Sequence, residues 1–282
     1  MTPCEKAENS ILKKYRKPVW IRFIMALKEY RLIQEGDKIA ACISGGKDSM
    51  LMAKCLQLLQ RHSDFPFGLE FLVMDPGYSP VNLQRITDNA EALGLPIRVF
   101  HTDIFDVVAG QERSPCYLCA RMRRGYLYKN AQALGCNKIA LGHHFDDVIE
   151  TILMSVLYSA EFRTMMPKLR SAHYPGMQLI RPMYMVHEAD IIAWRNYNDL
   201  QFIQCACRFT ENCVLGDNGG ASKRQEMKEL IRRFRRINPH IDRNIFSAAH
   251  NVNLDTVIGY RQGDERHSFL ERYDLLPPDG EE

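Results

Sequence analysis

The sequence predicts an α/β fold built on a doubly wound parallel sheet, with helical extensions at both ends of the chain. Short apolar runs alternate with longer amphipathic segments, and repeated units of this length are typical of βαβ topology. Polar and glycine-rich motifs follow several of the predicted strands, which is where ligands bind in such sheets. The chain has 282 residues, 46% hydrophobic and 25% charged, enough for a large buried core.

The predicted elements follow one another in a regular order. Residues 9–34 are expected to form a helix that is interrupted near Pro18. Strands are then predicted at 38–43, 69–74, 97–102, 138–142 and 178–181, and helices at 48–61, 80–93, 120–134, 146–159 and 187–199. After residue 215 the pattern changes to a basic amphipathic helix over 223–237. The predicted units are an N-terminal helical region at 1–36, an α/β domain at 37–215, and a C-terminal basic extension with an acidic tail at 216–282.

The distribution of charge and of cysteine limits the class of protein. The net charge of +3 combines +7 over the first 260 residues with −4 over the last 22. Basic residues are concentrated at 13–22, 121–124 and 223–236, which favours a polyanion such as RNA as partner, although charged helix faces are commonly only solvated. Nine cysteines and no signal peptide indicate a reducing compartment. No apolar run is long enough to span a membrane, so we expect a cytoplasmic protein without membrane contact.

The hexamer Ser44-Gly45-Gly46-Lys47-Asp48-Ser49 is the most informative motif. It connects the predicted strand at 38–43 to the predicted helix at 48–61. Its two glycines allow close approach of a ligand, and the helix N-terminus offers unpaired N–H groups and a positive dipole. The serine hydroxyls and the Lys47 ammonium add further donors. The hexamer predicts a phosphate-binding loop, with an ordinary βα turn as the simpler alternative, and it lacks the spacing of a Walker A loop.

A second motif, Cys116-Tyr117-Leu118-Cys119, precedes the predicted helix at 120–134. Two cysteines at this spacing can ligate a metal or a cluster, or form a redox disulfide. Cys205 and Cys207 offer further thiolates. The spacing leaves open a four-thiolate zinc site, an iron–sulfur cluster held by three thiolates, and four unrelated buried thiols. The remaining cysteines of the α/β domain are predicted to fill the core: Cys42, Cys55 and Cys136.

A third motif, Gly142-His143-His144-Phe145-Asp146-Asp147, follows the predicted strand at 138–142. The glycine allows a nucleotide to approach, and the histidines either bind phosphate or cap the strand. Asp146 and Asp147 are placed to coordinate Mg²⁺ or to handle protons, with acids favoured by the dipole of a helix N-terminus as the alternative. Asp75 and Asp103 follow two other strands at the same edge. One shared site is therefore predicted.

The hexamer resembles the PP-loop of the ATP pyrophosphatases, a superfamily with a HUP-type, Rossmann-like fold. Over most of the chain the motifs are similar to those of one branch, the tRNA 2-thiocytidine synthetase family, with further matches at 121–125, 166–169, 181–182 and 246–252. The resemblance implies that 37–215 is a catalytic domain, with Lys47, Asp48, Asp146 and Asp147 as catalytic residues. It implies ATP binding by Ser44, Gly45, Gly46, Lys47, Asp48, Ser49, Asp75, Gly142 and His143.

The resemblance also implies a [4Fe–4S] cluster held by Cys116, Cys119 and Cys205. The family has a further cysteine three residues beyond the last of these, where this chain has Arg208, and Cys207 lies one residue earlier. Cys207 is therefore an alternative ligand, and Zn²⁺ is the alternative metal.

The implied reaction transfers AMP from ATP, with Mg²⁺, to the C2 oxygen of a cytidine in a tRNA anticodon loop, at position 32. A cluster-bound sulfide then replaces that oxygen. The implied partners are the tRNA and a sulfur donor such as a cysteine desulfurase, and a homodimer is left open. The candidate RNA contacts are Arg121, Arg123, Arg124, Lys168, Arg232 and Arg233.

Three alternatives are left open, of which the first two are also PP-loop enzymes and the third belongs to a different class. A lysidine synthetase has a similar loop and a similar histidine–aspartate motif but needs no cysteine set. A PP-loop ligase that acts on a small molecule needs no basic helices. A zinc-stabilised RNA-binding protein without catalysis would release no pyrophosphate from ATP.

Overall fold

A six-stranded sheet lies at the centre of the described part of the chain. The computed structural model describes residues 1–109, 115–203 and 223–273. The strands are β1 (Lys38–Ile43), β2 (Gly68–Asp75), β3 (Ile97–His101), β4 (Lys138–Ala140), β5 (Lys168–Arg170) and β6 (Gln178–Ile180). Their order is β3-β2-β1-β4-β6-β5, with all neighbours parallel except the antiparallel pair of β5 and β6. The doubly wound parallel sheet is confirmed, and β5 is an edge strand that the sequence did not predict.

The helices predicted between residues 48 and 237 agree with the structure to within a few residues, with one exception, whereas the short helices at 104–109, 241–248 and 270–273 have no predicted counterpart. The helices are α1 (Pro3–Asn9), α2 (Arg22–Glu29), α3 (Lys47–His62), α4 (Pro80–Ala92), α5 (Ile104–Ala109), α6 (Pro115–Ala133), α7 (Phe145–Ser159), α8 (Glu188–Tyr197), α9 (Lys223–Ile237), α10 (Ile241–Ala248) and α11 (Leu270–Tyr273). The exception is α6, which begins five residues earlier than predicted and so contains the cysteine pair that was expected to precede it. A hairpin of β7 (Gly259–Gln262) and β8 (Glu265–Ser268) lies in the C-terminal extension.

Alternate residues of β1 face two different cores. Ile39, Ala41 and Ile43 pack with residues of α3, whereas Ala40 and Cys42 pack with Tyr128 and Ala131 of α6. Two-sided burial of this kind is expected for a central parallel strand. The three cysteines predicted to fill the core are buried, and burial raises the pKa of Cys42 to about 12 and that of Cys136 to about 11. These thiols are therefore protonated packing groups.

The predicted N-terminal helix is interrupted near Pro18 as expected, and the interruption is π-helical. Two π-helical stretches, Ser10–Lys14 and Arg16–Ile21, flank Tyr15, and the second contains Pro18. Proline lacks the N–H that an α-helix would use, which is compatible with the wider hydrogen-bonding pattern. The Tyr15 hydroxyl donates to the carbonyl of Ala193 in α8 at 2.9 Å. The N-terminal region therefore packs on the α/β domain. Among the described residues, no helix has the length and apolar character that a membrane crossing requires.

Candidate functional site

Two loops meet at the carboxyl edge of the sheet. The chain passes from β1 to β2 on one side, while β4 lies on the other, so the strand order reverses between β1 and β4. Open α/β sheets bind ligands at such a switch point. A Cβ added at Gly142, two residues after β4, would lie 2.8 Å from the Ser49 nitrogen and 2.9 Å from the Ser49 Cα, at the start of α3. Glycine at 142 therefore permits the close contact between the two loops.

The predicted phosphate loop is closed by the Ser49 hydroxyl. Its Oγ accepts from the Ser44 N–H at 3.1 Å and donates to the Gly46 carbonyl at 3.0 Å. Gly45 has a φ of +82°, and a side chain there would come within 2.6 Å of Ile86. Among the described residues, no side chain caps the N-terminus of α3 at Gly46. The first N–H groups of α3 and its positive dipole are therefore available to a phosphate.

The Lys47 ammonium is held between two carboxylates. Its Nζ lies 3.1 Å from the Asp48 carboxylate and 3.1 Å from Oε1 of Glu188, the first residue of α8. Burial alone would lower the pKa of Lys47, but the two carboxylates raise it. Burial alone would raise the pKa of Glu188, yet Lys47 and neighbouring cations hold it at about 2. Both groups are therefore charged at neutral pH, and Glu188 is a site residue that sequence reasoning missed.

The third motif forms the start of α7. His144 is the N-cap residue: its N–H donates to Asp147 Oδ2 at 3.0 Å, and its Nδ1 accepts from the Asp147 N–H at 3.4 Å. Its Nε2 then faces Asp48 Oδ1 at 3.7 Å. The Nδ1 of His143 is buried and has no hydrogen-bond partner among the described residues. Burial, assisted by Arg181, lowers the pKa of His143 to about 4, so a neutral imidazole is left for a ligand.

Arginines of α9 neutralise the two aspartates of this motif. Arg235 donates to Asp146 Oδ1 at 2.6 Å, and Arg224 donates to Asp147 Oδ1 at 2.8 Å. The other oxygen of Asp146 accepts from the Glu188 N–H at 2.7 Å. Asp147 thus caps the helix, and both carboxylates lie next to the switch point between β1 and β4.

Glu150, one turn further along α7, is a buried carboxyl group with 1% of its surface exposed. Its oxygens lie 3.8 Å from Lys228 Nζ and 3.8 Å from Arg224 Nε, beyond hydrogen-bond distance. Burial raises the pKa of Glu150 to about 7, although the two cations oppose the shift. The group therefore changes its protonation state near neutral pH.

Glu150→Gln is expected to remove a pH dependence of stability. The carboxyl has an ordinary pKa of 4.5 and a folded-state pKa of about 7. Between these values the folded chain binds more protons than the unfolded chain, so the wild type loses stability as the pH rises through this window. Melting temperatures measured across the window should fall for the wild type relative to Glu150→Gln. The exposed Glu229→Gln is the matched control, and parallel curves for the wild type and Glu150→Gln would contradict the expectation.

Asp75, the last residue of β2, shapes the turn at the same edge. Its Oδ1 accepts from the N–H groups of Gly77 at 2.9 Å and Tyr78 at 2.7 Å, and its Oδ2 lies 2.8 Å from His101 Nδ1. Burial alone would raise the pKa of Asp75, but these hydrogen bonds hold it below its usual value. The carboxylate is therefore ionised and its position is set by the turn.

The cysteine pair lies on the first turn of α6, close to this turn. Burial raises the pKa of Tyr78, with Cys119 adding to the effect and Arg123 opposing it. Cys119 is partly buried and packs against the main core. Cys119 is therefore at the carboxyl edge of the sheet. The side chain of Cys116 and the whole of Cys205 and Cys207 lie outside the described residues.

A cavity of about 300 Å³ opens beside the phosphate loop. It is lined by the loop on one side and by α8 and the segment after α8 on the other: Gly46, Lys47, Asp48, Ile192, Arg195, Phe202 and Ile203. Ile203 precedes Cys205 by two residues. The cavity therefore lies between the phosphate loop and the segment that leads to the third predicted cluster ligand.

The candidate RNA contacts are distributed over three elements. Most are exposed, namely Arg121 and Arg124 on α6, Lys168 on β5, and Arg232 and Arg233 on α9, whereas Arg123 is partly buried beside Tyr78. Three other cations of α9 point instead towards the carboxylates of the site: Arg224, Lys228 and Arg235. The basic helix α9 thus has one set of cations that faces the site and another set that faces solvent.

The comparisons with known proteins agree with the fold and the loop. A family model described as the PP-loop domain matches residues 21–208. The tRNA-cytidine(32) 2-sulfurtransferase of Citrifermentans bemidjiense is 34% identical over 231 residues, which are 81% of this chain and 88% of that protein. The enzyme of the same description from Tolumonas auensis is 30% identical over 260 residues, covering 90% of this chain and 80% of that protein.

A solved structure supports the same fold. The U34-tRNA thiolase NcsA from Methanococcus maripaludis, solved with its [4Fe–4S] cluster, superposes with a TM-score of 0.62 at 18% identity. The match covers 83% of this chain and 79% of NcsA. At this level of identity the likeness concerns the arrangement of strands and helices.

Proposed function

Because this chain belongs to the tRNA-cytidine(32) 2-sulfurtransferase family of PP-loop proteins, we propose that it is an ATP-dependent enzyme that thiolates a cytidine of tRNA. The observation that carries the proposal is the convergence of three motifs at one edge of the sheet. The phosphate loop follows β1, the histidine–aspartate motif follows β4, and α6, which carries the cysteine pair, lies beside the turn after β2.

The phosphate loop would bind the β- and γ-phosphates of ATP. The free N–H groups at the start of α3 and the Lys47 ammonium supply positive charge where pyrophosphate leaves. Gly142 and His143 would contact the nucleotide at the adjoining strand end, and the unpaired Nδ1 of His143 supports this role. Asp48, Asp146 and Asp147 are proposed to act with Mg²⁺, whose preferred ligands are carboxylate oxygens.

The activating step would transfer AMP to the C2 oxygen of the cytidine. That oxygen attacks the α-phosphorus, the bond between the α-phosphorus and the bridging oxygen breaks, and pyrophosphate leaves. The C2 position gains a good leaving group, since AMP carries its charge on phosphate oxygens. A sulfur nucleophile then forms the C2–S bond, and the C2–O bond breaks with release of AMP.

The predicted ligands are thiolates, which suit an iron–sulfur cluster, and the one whose side chain is described, Cys119, lies where the proposal requires it. Cys119 lies at the same edge of the sheet as the phosphate loop. In the sequence, Cys205 comes two residues after Ile203, which lines the cavity beside that loop. Cys116, Cys119 and Cys205 would hold a [4Fe–4S] cluster, with Cys207 as the alternative third ligand and Zn²⁺ as the alternative metal. When bound, the cluster would hold, for reaction at C2, a sulfide that the sulfur donor provides. Three thiolates leave one iron open to an exogenous ligand.

The remaining parts of the proposal concern partners. The tRNA would lie along the exposed cations of α6, β5 and α9, with the cytidine unstacked from the anticodon loop, as single-stranded RNA allows. Position 32 is the proposed target. The sulfur would come from a donor such as a cysteine desulfurase, in the cytoplasm.

The direct test is thiolation by the purified protein. Protein prepared without oxygen should convert unmodified tRNA to tRNA with 2-thiocytidine when ATP and a sulfide source are supplied, as read by mass spectrometry of the nucleosides. AMP and pyrophosphate should appear in equal amounts. Formation of lysidine, or release of ADP in place of AMP, would contradict the proposal.

A further inference from the structure

We propose that Glu188 is an internal anion that occupies the phosphate position between Lys47 and Lys228, and that the polyphosphate of ATP displaces it. The identity of the displacing ligand rests on the proposed function. The proposal adds a second phosphate-binding lysine, supplied by the C-terminal helix α9, to the loop that carries Lys47.

The geometry places one carboxylate between two ammonium groups. Lys47 Nζ lies 3.1 Å from Glu188 Oε1, and Lys228 Nζ lies 3.3 Å from Glu188 Oε2. Each oxygen therefore serves one lysine. The two lysines come from elements that are distant in sequence, the first residue of α3 and the middle of α9.

A phosphate group can replace this carboxylate on chemical grounds. Both are acceptor-only anions that take charge-assisted hydrogen bonds from ammonium groups, and a polyphosphate carries more charge and more acceptors than one carboxylate. The first N–H groups of α3 lie next to Lys47 and add donors that favour an anion at this helix end.

The exposure of the three side chains favours exchange over a structural pairing. Glu188, Lys47 and Lys228 keep 24%, 20% and 28% of their side-chain surface exposed, and Lys47 lines the open cavity. The buried pair of Lys138 and Asp37, in contrast, keeps 2% and 6% exposed. A ligand can therefore reach Glu188 and its two lysines, whereas the pair of Lys138 and Asp37 is not accessible to one.

The proposal predicts opposite effects for two variants of the full-length chain. Glu188→Gln removes the competing charge, so inorganic pyrophosphate should bind roughly two- to fivefold more tightly. Lys228→Met removes a cation, so pyrophosphate should bind roughly tenfold more weakly. Both are measured by isothermal titration calorimetry with a metal chelator present, and the order should be the same for ATP with Mg²⁺.

Matched controls use other charges of α9. Glu229→Gln and Arg236→Gln change exposed groups on the same helix and should leave pyrophosphate affinity at the wild-type value. A Glu188→Gln chain that binds pyrophosphate equally or more weakly would overturn the proposal, as would an unchanged affinity for Lys228→Met. Because these titrations contain no tRNA, their failure is distinct from a failure to form 2-thiocytidine.

Discussion

Replacing Cys119 by alanine is expected to abolish thiolation of tRNA while leaving the affinity for ATP unchanged. Cys119 lies on α6, whereas the hydrogen bonds that close the phosphate loop are made within the loop itself. A cluster that loses one of three thiolates should lose its sulfur chemistry, with an effect larger than the roughly 10- to 100-fold cost of removing a supporting residue. Thiolation is measured by nucleoside mass spectrometry and ATP affinity by calorimetry.

The control for this variant is Cys136→Ala. Cys136 is buried in the second core beside Leu179, away from the carboxyl edge, and should be needed only for packing. Its loss should cost some stability and no iron. Equal loss of ATP binding in Cys119→Ala would show that the cysteine supports the fold of the site, and full thiolation in that variant would remove it from the mechanism.

Lys47→Met is expected to block the first half of the reaction. The side chain that is lost lies at the N-terminus of α3, where the charge of the leaving pyrophosphate would develop. Removal of one preorganised group of this kind costs roughly a hundred- to a thousandfold in rate. Pyrophosphate release in the presence of tRNA should fall by this factor.

The exposed Lys28→Met provides a matched loss of charge on α2 and should leave pyrophosphate release near the wild-type rate. Release at the wild-type rate in Lys47→Met would exclude the loop lysine from activation. Thiolation and pyrophosphate release should fall together in Lys47→Met, whereas iron content should stay unchanged, in contrast to Cys119→Ala.

The parts of the fold that depend on local pattern could be predicted from the sequence. The buried run of β1, the glycine turn and α3 carry their signal within one stretch of chain, and their boundaries agree with the structure to within a residue or two. β5 could not be predicted, because it has three exposed residues and owes its conformation to pairing with β6.

Glu188 could not be predicted either, because its place in the site depends on residues that are distant in the sequence. Glu188 has no motif of its own, and its role arises from Lys47 and Lys228, 141 and 40 residues away. For the cations of α9, in contrast, the spacing along the helix predicts which of them face the site. Arg224, Lys228 and Arg235 share the helix face of the buried Ile231, so their spacing along α9 separates them from the exposed cations.

The central claim is that ATP activates the C2 oxygen of cytidine, and the fate of that oxygen tests it most directly. A tRNA carrying ¹⁸O at C2 of the target cytidine should be thiolated in a single turnover under ATP, and the AMP released should carry the ¹⁸O in its phosphate. Thiolated tRNA accompanied by unlabelled AMP would contradict the claim, because the oxygen would then have left without passing through an adenylated intermediate.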